Sequence, residues 1–189
     1  MPTNASPRYS AIGQSLHWAT AVVVLIAFAF GPGGSEHRVY SSAADFDRQL
    51  HETLGLLVLA LVLLRVVWRL GARTPAPPAA PAWMARAARF VQWALYGLLF
   101  ALPLTAVAGA WLEGHALTLL AGLEIGSPVA EAHAAGATLA EVHTWLGDTI
   151  LWLAGLHASA ALFHHLVLRD GVLVSMLPRW LLGQRPGTR

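Results

Sequence analysis

At 189 residues the chain is about one domain long. It is 56% hydrophobic and only 12% charged, with a mean hydropathy of +0.56. That excludes a disordered chain and leaves too few polar residues to cover a soluble globule. With no cysteine, disulfide scaffolds, thiolate zinc sites, iron–sulfur clusters, cysteine nucleophiles and covalently attached haem are excluded as well.

Four windows reach the ~20 apolar residues that span a bilayer as a helix. The first runs from about Gly13 to Phe30 and stops at Gly31-Pro32-Gly33-Gly34, which cannot easily continue a helix. Its Arg8, apolar stretch and Ala27-Phe28-Ala29 also sketch a signal peptide, but the apolar run is long for one, so it is expected to be retained. The second runs from about Leu50 to Leu70, followed by a connector with Pro75, Pro77, Pro78 and Pro81. The third covers about Phe90 to Leu112 with Pro103 inside, tolerable where neighbouring helices satisfy the freed carbonyl. The fourth covers about Glu141 to Leu168. The expected fold is all-α, a single-domain four-helix transmembrane bundle. The third connector, about residues 113–140, is the longest, and its LTLLAGLEIG stretch is apolar enough to lie against the membrane surface.

All twelve basic residues are arginine. Ten of them flank the N-terminus, the second connector or the C-terminus: Arg8; Arg65, Arg69, Arg73, Arg86 and Arg89; Arg169, Arg179, Arg185 and Arg189. Arg38 and Arg48 lie in the first connector, and nine of the ten acids lie on that opposite side or at its edge. The arginine bias therefore places both termini and the second connector in the cytoplasm and the first and third connectors outside. The pI near 9.7 is a topology signal. Nucleic acid is not an expected partner, because the arginines are spread over three juxtamembrane segments with no binding module between them.

Ionisable residues within spans are functional hypotheses by default. Of nine histidines, His37, His115 and His133 fall in outer connectors and read as solvated. His17, His51, His143, His157 and His164, with His165 beside it, lie within spans or at their mouths. By depth, His51 and His143 are outer and His17 is inner. His157 follows His143 by 14 residues, about 21 Å further in and close to four turns, hence on the same face. Two pairs result, His51–His143 and His17–His157. Two imidazoles from facing helices, twice, in a cysteine-free apolar bundle suit two haem b groups, each iron taking two axial histidines; zinc wants more protein ligands. Small residues beside the histidines leave room for the flat ring: Gly55 four after His51, Gly147 four after His143, Gly13 before His17, and Gly155, Ala158, Ala160 and Ala161 around His157. Arg48 at the outer rim, and Arg8, Arg65, Arg69 or Arg169 at the inner, are candidate partners for haem propionates. Spacing alone leaves His164, seven residues after His157 on the same face, as an alternative inner ligand.

The pieces SLHW at Ser15–Trp18, HETLG at His51–Gly55, LRVVWRL with its TPAPP connector, YGLLFALPLTAVAG at Tyr96–Gly109, EVHTWLG at Glu141–Gly147, GLHASAALFHHLVLRD at Gly155–Asp170 and SMLPR at Ser175–Arg179 together resemble the prokaryotic cytochrome b561 family, over nearly the whole chain. The resemblance implies axial histidines at His17, His51, His143 and His157, which decides for His157. It leaves His164 or His165 to line the inner haem or a quinone pocket. It also implies electron transfer between a donor and ubiquinone through two b haems, in one branch from superoxide. An anion approaching the outer haem wants a positive mouth, yet the outer loops are net negative, and Arg48, one turn before His51, is the best donor-side candidate. A second reading is a haem-bearing subunit that takes electrons from a separate partner protein of dehydrogenase or hydrogenase type. A third, a histidine-lined transporter or channel, predicts a colourless protein.

Overall fold

The computed structural model describes residues 8–33, 36–72, 80–178 and 181. Arg73, Pro75, Pro77, Pro78, Arg179, Arg185 and Arg189 lie outside them. In chain order the helices are α1 (Ala11–Ala29), the short α2 (Glu36–Val39), α3 (Asp45–Gly71), α4 (Ala82–Leu112), α5 (His133–Phe163) and the short α6 (Val172–Met176). Four of them are long and apolar enough to cross a membrane. The outward faces are apolar, with Trp152 82% exposed, as a lipid-facing surface requires.

The helix ends follow local chemistry. Ser10 caps α1, its Oγ accepting from Gly13 N at 3.2 Å, which satisfies an orphan donor of the first turn. Helix α3 starts with Asp45 and Asp47 and carries Arg69 in its last turn, both matched to the helix dipole. Helix α4 closes at Gly114 (φ +85°): His115 N donates to Ala110 O at 2.9 Å and Gly114 N to Trp111 O at 3.1 Å, the Schellman arrangement that glycine makes cheap.

Helices α4 and α5 begin about eight residues before the expected spans, at Ala82 and His133. Hydropathy marks only the apolar part of a helix, whereas the alanine-rich turns before it (AWMARAAR, HAAGATLA) favour helix in their own right. The far end of α5 passes into a π-helical turn, His164–Leu168.

Helix α1 packs on α3 and α4 on α5, and α3–α4 contacts join the two pairs. Helices α4 and α5 approach closely at Gly109 and Gly136, where a Cβ on Gly136 would stand 2.6 Å from Glu113 Cγ and 2.9 Å from Glu113 N. A small buried core of Val58, Val62, Leu99 and Ile150 joins α3, α4 and α5 midway along the bundle.

The LTLLAGLEIG stretch forms a two-stranded hairpin, β1 (Leu117–Thr118) with β2 (Glu124–Ile125). It turns inward as well as along the surface: Leu117 is buried, while Leu120 and Leu123 are exposed. Thr118 N donates to Glu52 Oε2 at 2.5 Å and Leu120 N to Thr53 Oγ1 at 2.9 Å, which fastens the hairpin over the start of α3. At the opposite end Tyr9 N donates to Ser175 O at 3.2 Å, Gln14 Nε2 to Ser175 O at 2.9 Å and Trp18 Nε1 to Met176 O at 2.9 Å; Arg8 bonds the Leu177 carbonyl. The residues leading into α1 and those around α6 thus share one end, the terminal end. The first and third connectors share the other, the connector end.

Candidate functional site: two facing histidine pairs

At the connector end His51 of α3 faces His143 of α5, ring centroids 5.9 Å apart and planes at 90°. Each ring is held by its Nδ1. His51 Nδ1 donates to Ala27 O at 2.7 Å, and His143 Nδ1 to Leu102 O at 2.9 Å. Ala27 lies in the last turn of α1, where carbonyls lack helical partners. Such Nδ1 bonds select the tautomer that leaves Nε2 with a free lone pair, the form a metal takes. Two in-line metal–imidazole bonds of ~2 Å place ring centroids roughly 6 Å apart, and the observed spacing fits.

Beside this pair is a cavity of about 110 Å³, lined by both His51 and His143. Its walls are apolar, and all four long helices contribute, among them Phe28, Leu56, Leu102 and Val107, with Leu117 of the hairpin and core residues Val58, Leu99 and Ile150. Gly55 and Gly147 line it too, and a Cβ on either would meet nothing within 4 Å. Those glycines keep open a flat space next to the imidazoles.

Toward the terminal end His17 of α1 faces His157 of α5, centroids 6.4 Å apart and planes at 81°. His17 Nδ1 is buried with no hydrogen-bond partner among the described residues. Arg65 and Arg69 both stand over the Tyr96 ring, at 5.4 and 5.9 Å. Among the described residues neither arginine pairs with a carboxylate. Cationic side chains within a bundle call for an anionic partner, and haem propionates have that chemistry. The donor sets at both ends therefore fit haem b.

The other expected site residues fall as follows. Arg48 is 9% exposed and paired with Asp45 at 2.9 Å and Glu52 at 3.2 Å, so its charge is spent within the protein; its guanidinium also lies 5.2 Å from the Tyr40 ring centroid. His164 opens the π turn, its Nδ1 2.5 Å from Asp170 Oδ2, and it is His157 whose ring faces His17. His165 lines a shallow cleft with Arg169, Asp170 and Val174. Sequence reasoning passed over Glu52, adjacent to His51 and lining its cavity, and Asp170. Both are acids beside quoted histidine motifs, and that adjacency was the available signal.

The connector rim carries a further group. Glu36, Glu113 and His115 present ligand atoms within 4.8 Å of one another. Burial, then the Glu36 carboxylate, pushes the Glu113 carboxyl up from its ordinary value. Burial, followed by Glu52 and Glu113, holds the Tyr40 phenol well above its usual range.

The family described as prokaryotic cytochrome b561 matches residues 8–179. Cytochrome b561 homolog 2 of Escherichia coli (strain K12) is 30% identical over 176 residues, 93% of this chain and 94% of that protein. A probable superoxide oxidase, CybB, of Yersinia pestis is 29% identical, covering 91% of this chain and 97% of its own length. Cytochrome b562 of Cereibacter sphaeroides is 30% identical, over 90% of this chain and 96% of its own length.

Proposed function

For this chain, which belongs to the prokaryotic cytochrome b561 family of bacterial membrane electron-transfer proteins, we propose a relay with two haem b groups that carries electrons from superoxide at the periplasmic face to ubiquinone at the cytoplasmic face. The observation that carries this reading is the pair of facing imidazoles at each of two depths in one bundle. Bound haem would supply the one-electron chemistry.

The chain's own residues orient and insulate. His51 and His143 would hold one group, with Gly55 and Gly147 giving it room; His17 and His157 would hold the other, with Arg65 and Arg69 for its propionates. The nearby backbone carbonyls and apolar walls set ligand basicity and keep out water. Arg48, on the donor side, acts by neutralising Glu52 at the rim of the outer site. His164, braced by Asp170, would hand a proton to the quinone. The balance is two superoxide anions, one quinone and two protons giving two dioxygen molecules and one quinol.

The test is superoxide-dependent quinone reduction by the purified, haem-loaded protein. A rate well above that of free haem is expected. Haem-loaded protein with no such rate supports instead the subunit that serves a separate dehydrogenase or hydrogenase-type protein. A reduced-minus-oxidised spectrum without b-type bands would end both readings.

A further inference from the structure

The carboxylate–imidazole group at the connector rim takes no part in the relay just described. Glu36 is the first residue of α2, Glu113 follows the last residue of α4, and His115 lies two residues on. Three separate structural features bring them together. The Schellman turn at Gly114 reverses the chain between Glu113 and His115, so both serve one locus. Gly136 leaves the space in which Glu113 lies, since a Cβ there would meet Glu113 Cγ at 2.6 Å. Tyr40 stacks on the His115 ring, centroids 3.5 Å apart at 19°, and this fixes the plane in which Nε2 reaches Glu36 Oε1 at 2.8 Å.

Two carboxylates and an imidazole thus converge on one locus. Among the described residues no arginine pairs with either, and the nearby Arg48 is committed to Asp45 and Glu52. From this geometry we infer that Glu36, Glu113 and His115 form a binding site for a zinc-class divalent cation. Metal–nitrogen and metal–oxygen bonds of ~2.0–2.2 Å put the ligand atoms of one ion ~3–4 Å apart, so atoms already within 4.8 Å need only a small side-chain closure. One nitrogen and two oxygens leave a fourth tetrahedral position for water. The ion ties the first connector to the end of α4 and cancels the like charges of the two carboxylates.

The experiment is calorimetric titration of zinc sulfate into chelator-washed, haem-loaded protein, alongside Glu36→Gln and His115→Gln. Glu36 is exposed, so its substitution leaves the fold in place, and the haem spectrum reports integrity in each variant. One zinc per chain is expected, weakened at least tenfold in both variants with unchanged spectra. Absence of binding, or wild-type affinity in the two variants, overturns the site and reduces the cluster to a His115–Glu36 ion pair. Neither result bears on the haem relay, whose histidines are untouched.

Discussion

Each imidazole pair joins α5 to a different helix, so single substitutions should act on one end at a time. His51→Ala or His143→Ala is expected to lose one haem and keep the other, and His17→Ala or His157→Ala to do the reverse. Haem quantitation checks this; two haems retained in any of the four would contradict the pairing. Arg48 makes a second residue-scale prediction. Its removal leaves the half-buried Glu52 beside His51 without its cation, at a cost of about 1–3 kcal/mol. Arg48→Leu should therefore melt at clearly lower temperature in detergent, and Arg48→Leu combined with Glu52→Gln should recover part of the loss. The histidines were legible as residues because imidazoles are conspicuous in an apolar span. Their Nδ1 acceptors were not legible, since Ala27 and Leu102 contribute only backbone oxygens, which no sequence pattern marks.

Among the elements, the α4–α5 crossing depends on Gly136. Gly136→Val would drive side-chain atoms into Glu113 and the end of α4. Overpacking of this kind costs about 1–3 kcal/mol, to be read as a drop in melting temperature, with zinc binding at the rim weakened too. The π turn after α5 carries a different role. π turns recur at functional sites, and this one presents His164 to Asp170. Asp170→Asn should slow quinone reduction about tenfold, through loss of a positioned proton donor, with haem content unchanged. The apolar runs were readable because bilayer thickness sets a length that composition reveals. The added turns of α4 and α5 were missed because they lie outside the apolar window. The inward fold of the hairpin was missed because Leu117 and Leu123 look alike in sequence and differ only in what they meet.

For the whole molecule, residues 8–14 and the segment around α6 are tied together at one end, and the connectors meet at the other. The arginine bias predicts that the terminal end faces the cytoplasm. A fluorescent reporter fused after Arg189 should accordingly be bright, and an alkaline phosphatase fused there inactive; the opposite outcome would invert the proposed path of electrons.

By itself the sequence determined the membrane class and the four helices, and it marked His51 and His143 for one end of the bundle and His17 for the other. All of these follow from composition and from the regular rise and turn of a helix. The tertiary structure alone decided what surrounds them. It brought the first and third connectors together, spent the charge of Arg48 on two carboxylates, left Arg65 and Arg69 over Tyr96, and gathered Glu36, Glu113 and His115 at one rim. Those outcomes depend on which helix faces which and where glycines permit close approach, and a helical period read along a single chain does not contain them.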